Sequence, residues 1–501
     1  MSIDDIKSPL PPRRINIPLN PEKEMANSLP PIPAVSNPAT PEPITPKPKF
    51  DPKLIKFGGI GLIALILLGV LIGIVIPKIK DGLKKEPVVV NYWGLWEDSN
   101  ILEGIIADFE SKNPGIKINY KMNQKNDYGS RLQGRLAKSG VAGEEVPDIY
   151  RIHQSWIPSF RDYLAPVPAT TVKNIQLDTD FFDTYKEDLV EKGSYMAIPL
   201  MYDGLAMYYN KDLINAAQVE LPKNWWDLET AANKLTVKDD NGNIKVAGVA
   251  MGLINNVDHW NDIIGLMMKQ NGVNPLINDD ANNKKLQDVL TFYTLFRTKD
   301  HVWDESLPSS TQLFANGKLA FYFAPSWRVF NIKDINKNLN FGIAMVPQLP
   351  VLDNANMDKN SASGKLTNIH WASYWVEGVN SKSTKQKEAW KFLEFMASQD
   401  TLEKMYQAAS QTRDFGEIYP RKSMADKIAD NSMVQPFVAA ANNASGGYLS
   451  SRTFGDGLNK DMEKYFGDAI NSIALDNNSA ADIMVPLRNG LNQMIQKYQI
   501  Q

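Results

Sequence analysis

A run of uncharged residues from Phe57 to Ile76, FGGIGLIALILLGVLIGIVI, constrains this chain more than any other feature of its sequence. At about 1.5 Å per residue, a helix of this length spans the roughly 30 Å hydrocarbon core of a bilayer. A cleaved signal peptide has a shorter apolar region that ends in small residues, whereas here Pro-Lys-Ile-Lys follows directly. The sequence therefore predicts one uncleaved transmembrane helix, at the centre of an anchor that occupies residues 53–80.

The charges that flank this helix do not fix the direction in which it crosses the membrane. Lysines lie close to both ends: Lys47, Lys49, Lys53 and Lys56 before the run, and Lys78, Lys80, Lys84 and Lys85 after it. The lysine counts on the two sides are equal, so the positive-inside rule gives no orientation. Arg13, Arg14 and Lys23 lie too far upstream to favour a cytoplasmic N-terminus more than slightly. Gly69 and Gly73 form a GxxxG pair through which two anchors could dimerise, although glycine is common in membrane helices.

The segment before the anchor, residues 1–52, is rich in proline and holds 14 of the 31 prolines of the chain. Proline cannot donate a backbone hydrogen bond or continue a helix, so we expect a disordered or polyproline-like tail. Such a tail either docks into an aromatic-lined groove of a cytoplasmic partner or has no specific partner, and the sequence leaves both open.

Composition excludes several classes of chemistry. Cysteine is absent, which rules out disulfides, thiolate zinc sites, cysteine nucleophiles and a lipid-modified N-terminal cysteine. The formal net charge is only -3, so no overall field favours nucleic acid as a partner. The large segment after the anchor must therefore be stabilised by burial alone, and it is long enough to form a substantial core.

Extended and helical patterns alternate after the anchor. Strands are predicted at 87–93, 116–121 and 148–152, and helices at 101–112 and 128–139. Single helices between strands indicate an α/β fold with parallel pairing. Because ligands of such sheets lie beyond the carboxyl ends of the strands, we expect the loops at 96–100, 123–128 and 153–156 along one rim. A second α/β stretch begins near Leu205.

Motifs for catalysis or metal binding are not found. The chain has four histidines, none at metal-ligand spacing, and it has no phosphate-binding GxxxxGK[ST] sequence and no GxSxG sequence. The segment 239–243, DDNGN, resembles the start of a calcium loop, but the sixth and twelfth positions are Ile244 and Ala250 instead of Gly and Glu. We interpret it as a turn between strands, and we expect a protein that is not an enzyme and has no cofactor.

Six phrases in the large segment resemble, in content and in order, those of a known family. They are FESKNPGIKINY, VPDIYRIHQSW, AIPLMYDGLAMYYNKDL, FANGKLAFYFAPSW, LNFGIAMVPQLP and KEAWKFLEFMAS. The order is similar to that of the bacterial extracellular solute-binding proteins of ABC importers, family 1, which are maltose-binding-protein-like. The resemblance covers about residues 87–500.

The resemblance implies a two-lobed α/β fold of the type II periplasmic-binding-protein-like class, with discontinuous lobes and hinge crossovers. Crossovers are expected near residues 199–204, 344–347 and 398–402. The N-lobe would consist of residues 87–201 and 346–399, and the C-lobe of residues 204–344 and 400–501. Since such domains work outside the cytoplasmic membrane, the resemblance also implies a single-pass protein with a cytoplasmic N-terminus and an extracytoplasmic binding domain.

The resemblance further implies a ligand cleft between the lobes. A sugar cleft needs flat aromatic faces for the apolar side of each ring and polar groups for its hydroxyls. The candidate ligand-binding residues are Trp96, Glu97, Asp98, Gln154, Ser155, Trp156, Tyr202, Asp203, His259, Trp260, Ser326, Trp327, His370, Trp371 and Arg452. Among them, Asp203 matches the acidic residue that the family places on the first crossover, and Trp327 matches its stacking tryptophan.

Alternatives exist for several of these residues. His259 with Trp260, and His370 with Trp371, could equally be packed aromatic pairs, and Arg452 could be a solvated loop residue. If the ligand were anionic, Arg452 and Arg151 would become more important through bidentate pairing.

The function that the resemblance implies is capture of a carbohydrate or oligosaccharide and its delivery to the permease of an ABC transporter. One alternative is a membrane-bound ligand sensor or scaffold that acts without transport. Another is a surface glycan hydrolase that uses carboxylates such as Glu97 and Asp203. The identity of the ligand stays open, because relatives of this fold also bind peptides, polyamines and phosphodiesters.

Overall fold

A computed structural model of the chain describes residues 86–97, 99–351, 365–451, 453 and 457–500. The predicted tail, the predicted anchor and its Gly69–Gly73 pair lie outside the described residues, and so do Asp98 and Arg452. No helix among the described residues combines the length and the apolar character that a membrane crossing requires.

Strands and helices alternate through most of the described chain. The strands are β1 (Val88–Gly94), β2 (Ile116–Met122), β3 (Ile149–His153), β4 (Val190–Glu191), β5 (Ser194–Tyr195), β6 (Ile198–Pro199), β7 (Ala206–Asn210), β8 (Val237–Lys238), β9 (Ile244–Val249), β10 (Leu319–Ala324), β11 (Phe341–Ala344), β12 (His370–Trp371), β13 (Trp375–Val379) and β14 (Ala444–Ser445). The helices are α1 (Ser99–Lys112), α2 (Tyr128–Leu136), α3 (Ile157–Phe160), α4 (Ala169–Asn174), α5 (Leu177–Asp180), α6 (Thr184–Leu189), α7 (Lys211–Ala217), α8 (Trp225–Leu235), α9 (Trp260–Gln270), α10 (Asp280–Thr298), α11 (Ser310–Ala315), α12 (Arg328–Ile335), α13 (Gln386–Met396), α14 (Gln399–Ser410), α15 (Gln435–Ala440), α16 (Leu458–Ala474) and α17 (Met484–Tyr498).

The first sheet has the strand order β2-β1-β3-β13-β6. β1 pairs in parallel with β2 and with β3, as the alternating pattern predicts, whereas β13 runs antiparallel to both of its neighbours. The inward-facing residues Val90 and Tyr92 of β1 are fully buried. Phe109 of α1 meets Phe392 of α13 with ring centroids 5.0 Å apart, so helices that are distant in sequence share this core.

The second sheet has the order β11-β7-β10-β9-β8. In this sheet β9 and β10 pair in parallel. β7 runs antiparallel to both of its neighbours, β10 and β11. β8 and β9 form an antiparallel hairpin, and the Asp239 carboxylate in its turn accepts hydrogen bonds from the backbone N–H groups of Asn241 and Asn243. The predicted turn between strands is therefore confirmed.

Two chain segments pass between the sheets. The first runs from β6 in the first sheet to β7 in the second, and another returns from β11 in the second sheet to β13 in the first. On the return path, β12 pairs in parallel with β14 in a small separate sheet, and β13 of the first sheet begins at Trp375. Each lobe is thus assembled from separate parts of the chain.

The predicted start of the last C-lobe segment at residue 400 differs from the structure. Helix α14 packs against α1 of the first lobe, with the Lys404 ammonium 2.8 Å from the Asp108 carboxylate. Arg421 donates to the carbonyl oxygen of Ala397, which ties the following segment to the end of α13. Contacts with the second lobe begin just after α14, where Asp414 lies 2.7 Å from Lys333 of α12, and continue with α16, which packs against α10. The contacts therefore attach α14 to the first lobe, which differs from the predicted crossover at residues 398–402.

Candidate functional site

Aromatic and imidazole rings form a row along the first lobe where β1, β3 and β13 end or begin. The half-buried Trp96 ring meets Trp375 edge to face, with centroids 4.9 Å apart, and the His153 ring lies 5.3 Å from Trp375. His153 Nδ1 accepts from the Ser155 backbone N–H, so its Nε2 carries the proton and faces the Ser373 hydroxyl at 3.2 Å. Burial lowers the pKa of His153 to about 3, which keeps this imidazole neutral.

Asp203 joins this row to the second lobe. Its carbonyl oxygen accepts a hydrogen bond from the Ser373 N–H at 3.0 Å. Its carboxylate accepts from the Gly204 N–H at 2.8 Å, the Ser326 N–H at 3.1 Å and the Ser326 hydroxyl at 3.0 Å. Burial raises the pKa of the Asp203 carboxyl to about 7. Asp203 thus connects the first crossover to the loop that carries Trp327.

A buried Glu–Arg–Glu cluster lies beneath Trp96. Arg151 donates to the Glu97 carboxylate through Nη1, and to Glu377 through Nε at 2.9 Å and Nη2 at 2.6 Å. All three side chains are almost completely buried, and the guanidinium carbon lies 5.5 Å from the centre of the Trp96 ring. Burial raises the pKa of the Glu377 carboxyl, with the neighbouring Glu97 charge acting in the same direction, whereas Arg151 opposes both.

His259 is the centre of a second buried network, at the start of α9. Arg328 donates through Nε to His259 Nε2 at 2.9 Å, so the neutral imidazole carries its proton on Nδ1, 2.7 Å from the Ser451 hydroxyl. Ser451 in turn donates to the Asp262 carboxylate, which also accepts from the Trp371 indole N–H at 2.9 Å. The histidine therefore donates to the serine and does not act as its base, which argues against a serine nucleophile.

Arg328 also covers one side of the predicted stacking residue. Its guanidinium carbon lies 4.5 Å from the centre of the half-buried Trp327 ring, and Nη1 donates to Asn331 at 3.2 Å. The Asp258 carboxylate is 3.6 Å away from Nη2, which is long for a hydrogen bond. The charge of Arg328 is therefore met by one neutral imidazole, one amide and one distant carboxylate.

A cavity of about 390 Å³ lies between the two lobes. The first lobe contributes Gln154, Ser155, Glu187 and Asp188, and the second lobe contributes Gly265, Met268 and Lys269 of α9 and residues 273–276. The crossovers close it with Trp371 and residues 446–449. Asp188 accepts from the Gly446 N–H and the Tyr374 hydroxyl, and burial raises its pKa to about 6. Apolar, amide, hydroxyl and charged groups thus surround one solute-sized space.

Sequence comparison now assigns the family. The profile of the bacterial extracellular solute-binding proteins matches residues 104–436, more than half of the chain. The chain belongs to this family. Its two separate α/β sheets and the crossovers between them agree with that assignment.

Known relatives of this solute-binding protein are also binding proteins. A binding protein of Brucella abortus (strain 2308) is 23% identical over 347 residues, which are 67% of this chain and 77% of the relative. The multiple sugar-binding protein of Streptococcus mutans is 23% identical over 365 residues, 69% of this chain and 80% of the relative. The solved structure of the sugar-binding protein MalE from Xanthomonas citri has a TM-score of 0.64 at 16% identity, covering 82% of this chain and 98% of that one. This chain is likewise a binding protein and not an enzyme.

The predicted site residues of the solute-binding protein fall into three groups. Gln154, Ser155 and Trp371 line the cavity. Trp96, Glu97, Asp203, His259, Ser326 and Trp327 belong to the networks around the crossovers. Trp156 meets Trp375 edge to face with centroids 5.3 Å apart, so it joins the ring row of the first lobe. The others pack elsewhere: Tyr202 meets Phe182, Trp260 lies beside Gly467, and His370 bonds to Asn368.

The charged residues of the cavity wall, Glu187, Asp188 and Lys269, escape prediction from the sequence. Asp188 lies in the short helix α6, and Lys269 lies near the end of α9, far from the strand ends on which the prediction relied. The paired glycines before Tyr448 are the one available signal. A Cβ at Gly446 would lie 2.0 Å from Gln154 Nε2, so any larger residue at this position would displace the Gln154 amide from the cavity wall.

Proposed function

We propose that this protein captures a carbohydrate or oligosaccharide between its lobes and delivers it to the permease of an ABC transporter. The observation that carries the proposal is the cavity of about 390 Å³, whose wall takes residues from both lobes and from the crossovers. A ligand that contacts both lobes stabilises the closed arrangement over an open one, and a permease can distinguish the two.

The composition of the cavity wall suits a sugar. Trp371 and Tyr448 supply aromatic surface, whereas Gln154, Ser155 and Lys269 supply hydrogen-bonding groups for hydroxyls. The names of the Streptococcus mutans and Xanthomonas citri relatives, both sugar-binding, point to the same ligand class. We propose that these cavity residues, together with Trp96 and Trp327, contact the ligand.

Anchoring is the second part of the proposal. The apolar run from Phe57 to Ile76 would hold the binding domain at the outer face of the cytoplasmic membrane, with the proline-rich tail inside. Since the chain has no cysteine to carry a lipid, this run would take over that role and keep the binding domain close to its permease. Alkaline extraction of membranes should retain the full chain and should release a variant that lacks residues 57–76.

Ligand binding is tested by a thermal-shift screen of the full-length chain against neutral mono- and oligosaccharides, peptides and polyamines. A ligand at 100 times its dissociation constant adds ~2.7 kcal/mol to stability, which gives a clear shift. Calorimetry then gives the affinity of the best sugar. If no sugar shifts the melting temperature while a peptide or polyamine does, the carbohydrate assignment is wrong.

The location of the site is tested with matched tryptophan variants. Trp327→Ala removes the predicted stacking residue and should weaken sugar binding by about tenfold or more, as loss of one aromatic contact of ~1.4 kcal/mol would. Trp226→Ala is the control, because Trp226 is also a half-buried tryptophan of the second lobe, but it lies at the start of α8 and does not stack against Arg328 as Trp327 does. Equal losses of affinity in both variants would contradict this location.

A further inference from the structure

The described cations at the candidate site are already engaged with groups of the protein. Arg151 is held by two buried carboxylates. The Lys269 ammonium lies 2.6 Å from the Ser445 hydroxyl and 3.5 Å from the Glu187 carboxylate on the opposite lobe. Arg328 is engaged by His259, by Asn331 and, at longer distance, by Asp258. Binding an anion at Arg151 or Lys269 would therefore require the cation to exchange its present partner, whereas at Arg328 only Nη2 has no hydrogen-bond partner among the described residues.

Carboxylates also outnumber cations on both sides of the site. In the first lobe, Glu97, Glu187, Asp188 and Glu377 accompany Arg151 and Lys125, the latter lying 5.6 Å from the centre of the Trp96 ring. On the second lobe and first crossover, Asp203, Asp258 and Asp262 accompany Lys269 and Arg328.

We propose that the site selects uncharged saccharides and excludes acidic ones such as uronates, because its carboxylates outnumber its cations and both Arg151 and Lys269 are already engaged with carboxylates. The proposal rests on the proposed function and names the class of saccharide. An anionic group would lose its hydration on entering the interlobe space and would meet like charges there in exchange. A neutral hydroxyl or amide avoids the charge repulsion and can both donate and accept hydrogen bonds.

The test compares probes that differ in charge but hardly in shape. Glucose, glucuronate and glucuronamide form one series, and the galactose and mannose counterparts form two more, each used as monosaccharides and as trisaccharides. Calorimetry on the full-length chain at pH 8.0 keeps Asp188 and Asp203 above their pKa values of about 6 and about 7. In the series that binds, the uronate should bind at least 30-fold more weakly than the isosteric uronamide.

A charge-reversal variant tests whether the carboxylates cause this selectivity. The Glu187 side chain is 63% exposed, so Glu187→Lys should fold, and it should reduce the gap between uronamide and uronate at least threefold. The control, Asp476→Lys, makes the same charge change beyond the far end of α16, about 25 Å along the chain from Asn459 and more than a Debye length away. It should leave the gap unchanged.

Each result decides between the two proposals. A uronate that binds as tightly as its uronamide, or more tightly, overturns the charge selectivity and leaves saccharide binding intact. If the uronate and the uronamide are equally weak while the parent sugar binds, size is the cause and the charge proposal is wrong. If none of the probes binds, the proposed function fails, and this inference fails with it.

Discussion

The two lobes hold a buried arginine against a tryptophan in different ways. In the first lobe, Arg151 is 2% exposed and lies 5.5 Å from Trp96; in the second, Arg328 is 7% exposed and lies 4.5 Å from Trp327. The partners differ more than the burial does. Arg151 is paired with two buried carboxylates, whereas Arg328 donates to the neutral His259 and Asn331 and reaches a carboxylate only at 3.6 Å.

This difference shows that the cost of removing a buried charged side chain depends on which of its partners would be left unpaired. Removing Arg151 would leave two carboxylates buried without a cation, which costs several kcal/mol even after relaxation. Removing Arg328 would leave mainly an unpaired imidazole nitrogen and an unpaired amide. The first lobe should therefore depend on its arginine for folding much more than the second lobe does.

The strongest test of this comparison is Arg151→Met. We expect it to lower the free energy of unfolding by about 3–5 kcal/mol, because Glu97 and Glu377 lose their shared cation. Urea denaturation of the full-length chain measures the effect. Arg161→Met is the control, since Arg161 is paired with Glu191 at 2.8 Å but is 33% exposed, and it should cost no more than about 1 kcal/mol. Equal costs would remove the basis of the comparison.

Local patterns in the sequence predicted the first lobe well because its opening elements follow one another in space. β1, α1 and β2 are neighbours both in sequence and in the sheet, so periodicity alone indicates them. The family resemblance, and not these patterns, placed α14 in the C-lobe, whereas the structure packs it against α1. The apolar residues Leu402 and Met405 of α14 are buried in contact with an element almost 300 residues earlier, and no local pattern reveals which lobe such a helix will join.

The candidate site was predictable to the extent that it lies at strand ends. Gln154 and Ser155 follow β3 directly, and the rule for parallel sheets indicates them. Asp188 and Lys269 reach the same cavity only because α6 and α9 face each other across the lobes, and that contact depends on the crossovers. Tryptophan content did not discriminate, since Trp156 belongs to the core and Trp96 is half-buried.

Asp203, which joins the two arginine regions, should have the next largest effect on stability, through the pH dependence of its ionisation. Its carboxyl has a pKa raised by burial to about 7, so between about pH 4 and pH 7 the folded state holds more protons than the unfolded state. The contribution of this carboxyl to the free energy of unfolding is therefore fully present below about pH 4 and is lost as the pH rises through 7. The loss amounts to about 2–4 kcal/mol.

The variant Asp203→Asn tests this titration, because an amide does not ionise. From pH 5 to pH 8, the wild type should lose stability relative to the variant, as measured by thermal unfolding. His153 and His370, whose pKa values burial lowers to about 3 and about 4, contribute the opposite slope below pH 6.5, but they do so in both proteins and cancel in the difference. A difference that is independent of pH would show that Asp203 does not titrate in this range.

Arg328→Met sharpens the comparison from the second lobe. We expect a cost of about 1–3 kcal/mol, the range for losing hydrogen bonds from a charged donor to neutral partners. Asp258 keeps its hydrogen bonds from the hydroxyl and the backbone N–H of Thr311, so it is not left uncompensated. Urea denaturation beside Arg151→Met gives the ratio of the two costs. A cost for Arg328→Met equal to that for Arg151→Met would mean that the 3.6 Å contact with Asp258 acts as a full ion pair.

The smallest effect is expected where the two lobes meet through an exposed pair. Glu187→Gln removes the carboxylate that lies 3.5 Å from Lys269, and because the Glu187 side chain is 63% exposed the loss should not exceed about 1 kcal/mol. Lys269 keeps its hydrogen bond to Ser445, so its position should not change. Thermal unfolding with and without added salt measures the contribution. A loss above about 2 kcal/mol would show that this contact, instead of the buried networks, holds the lobes together.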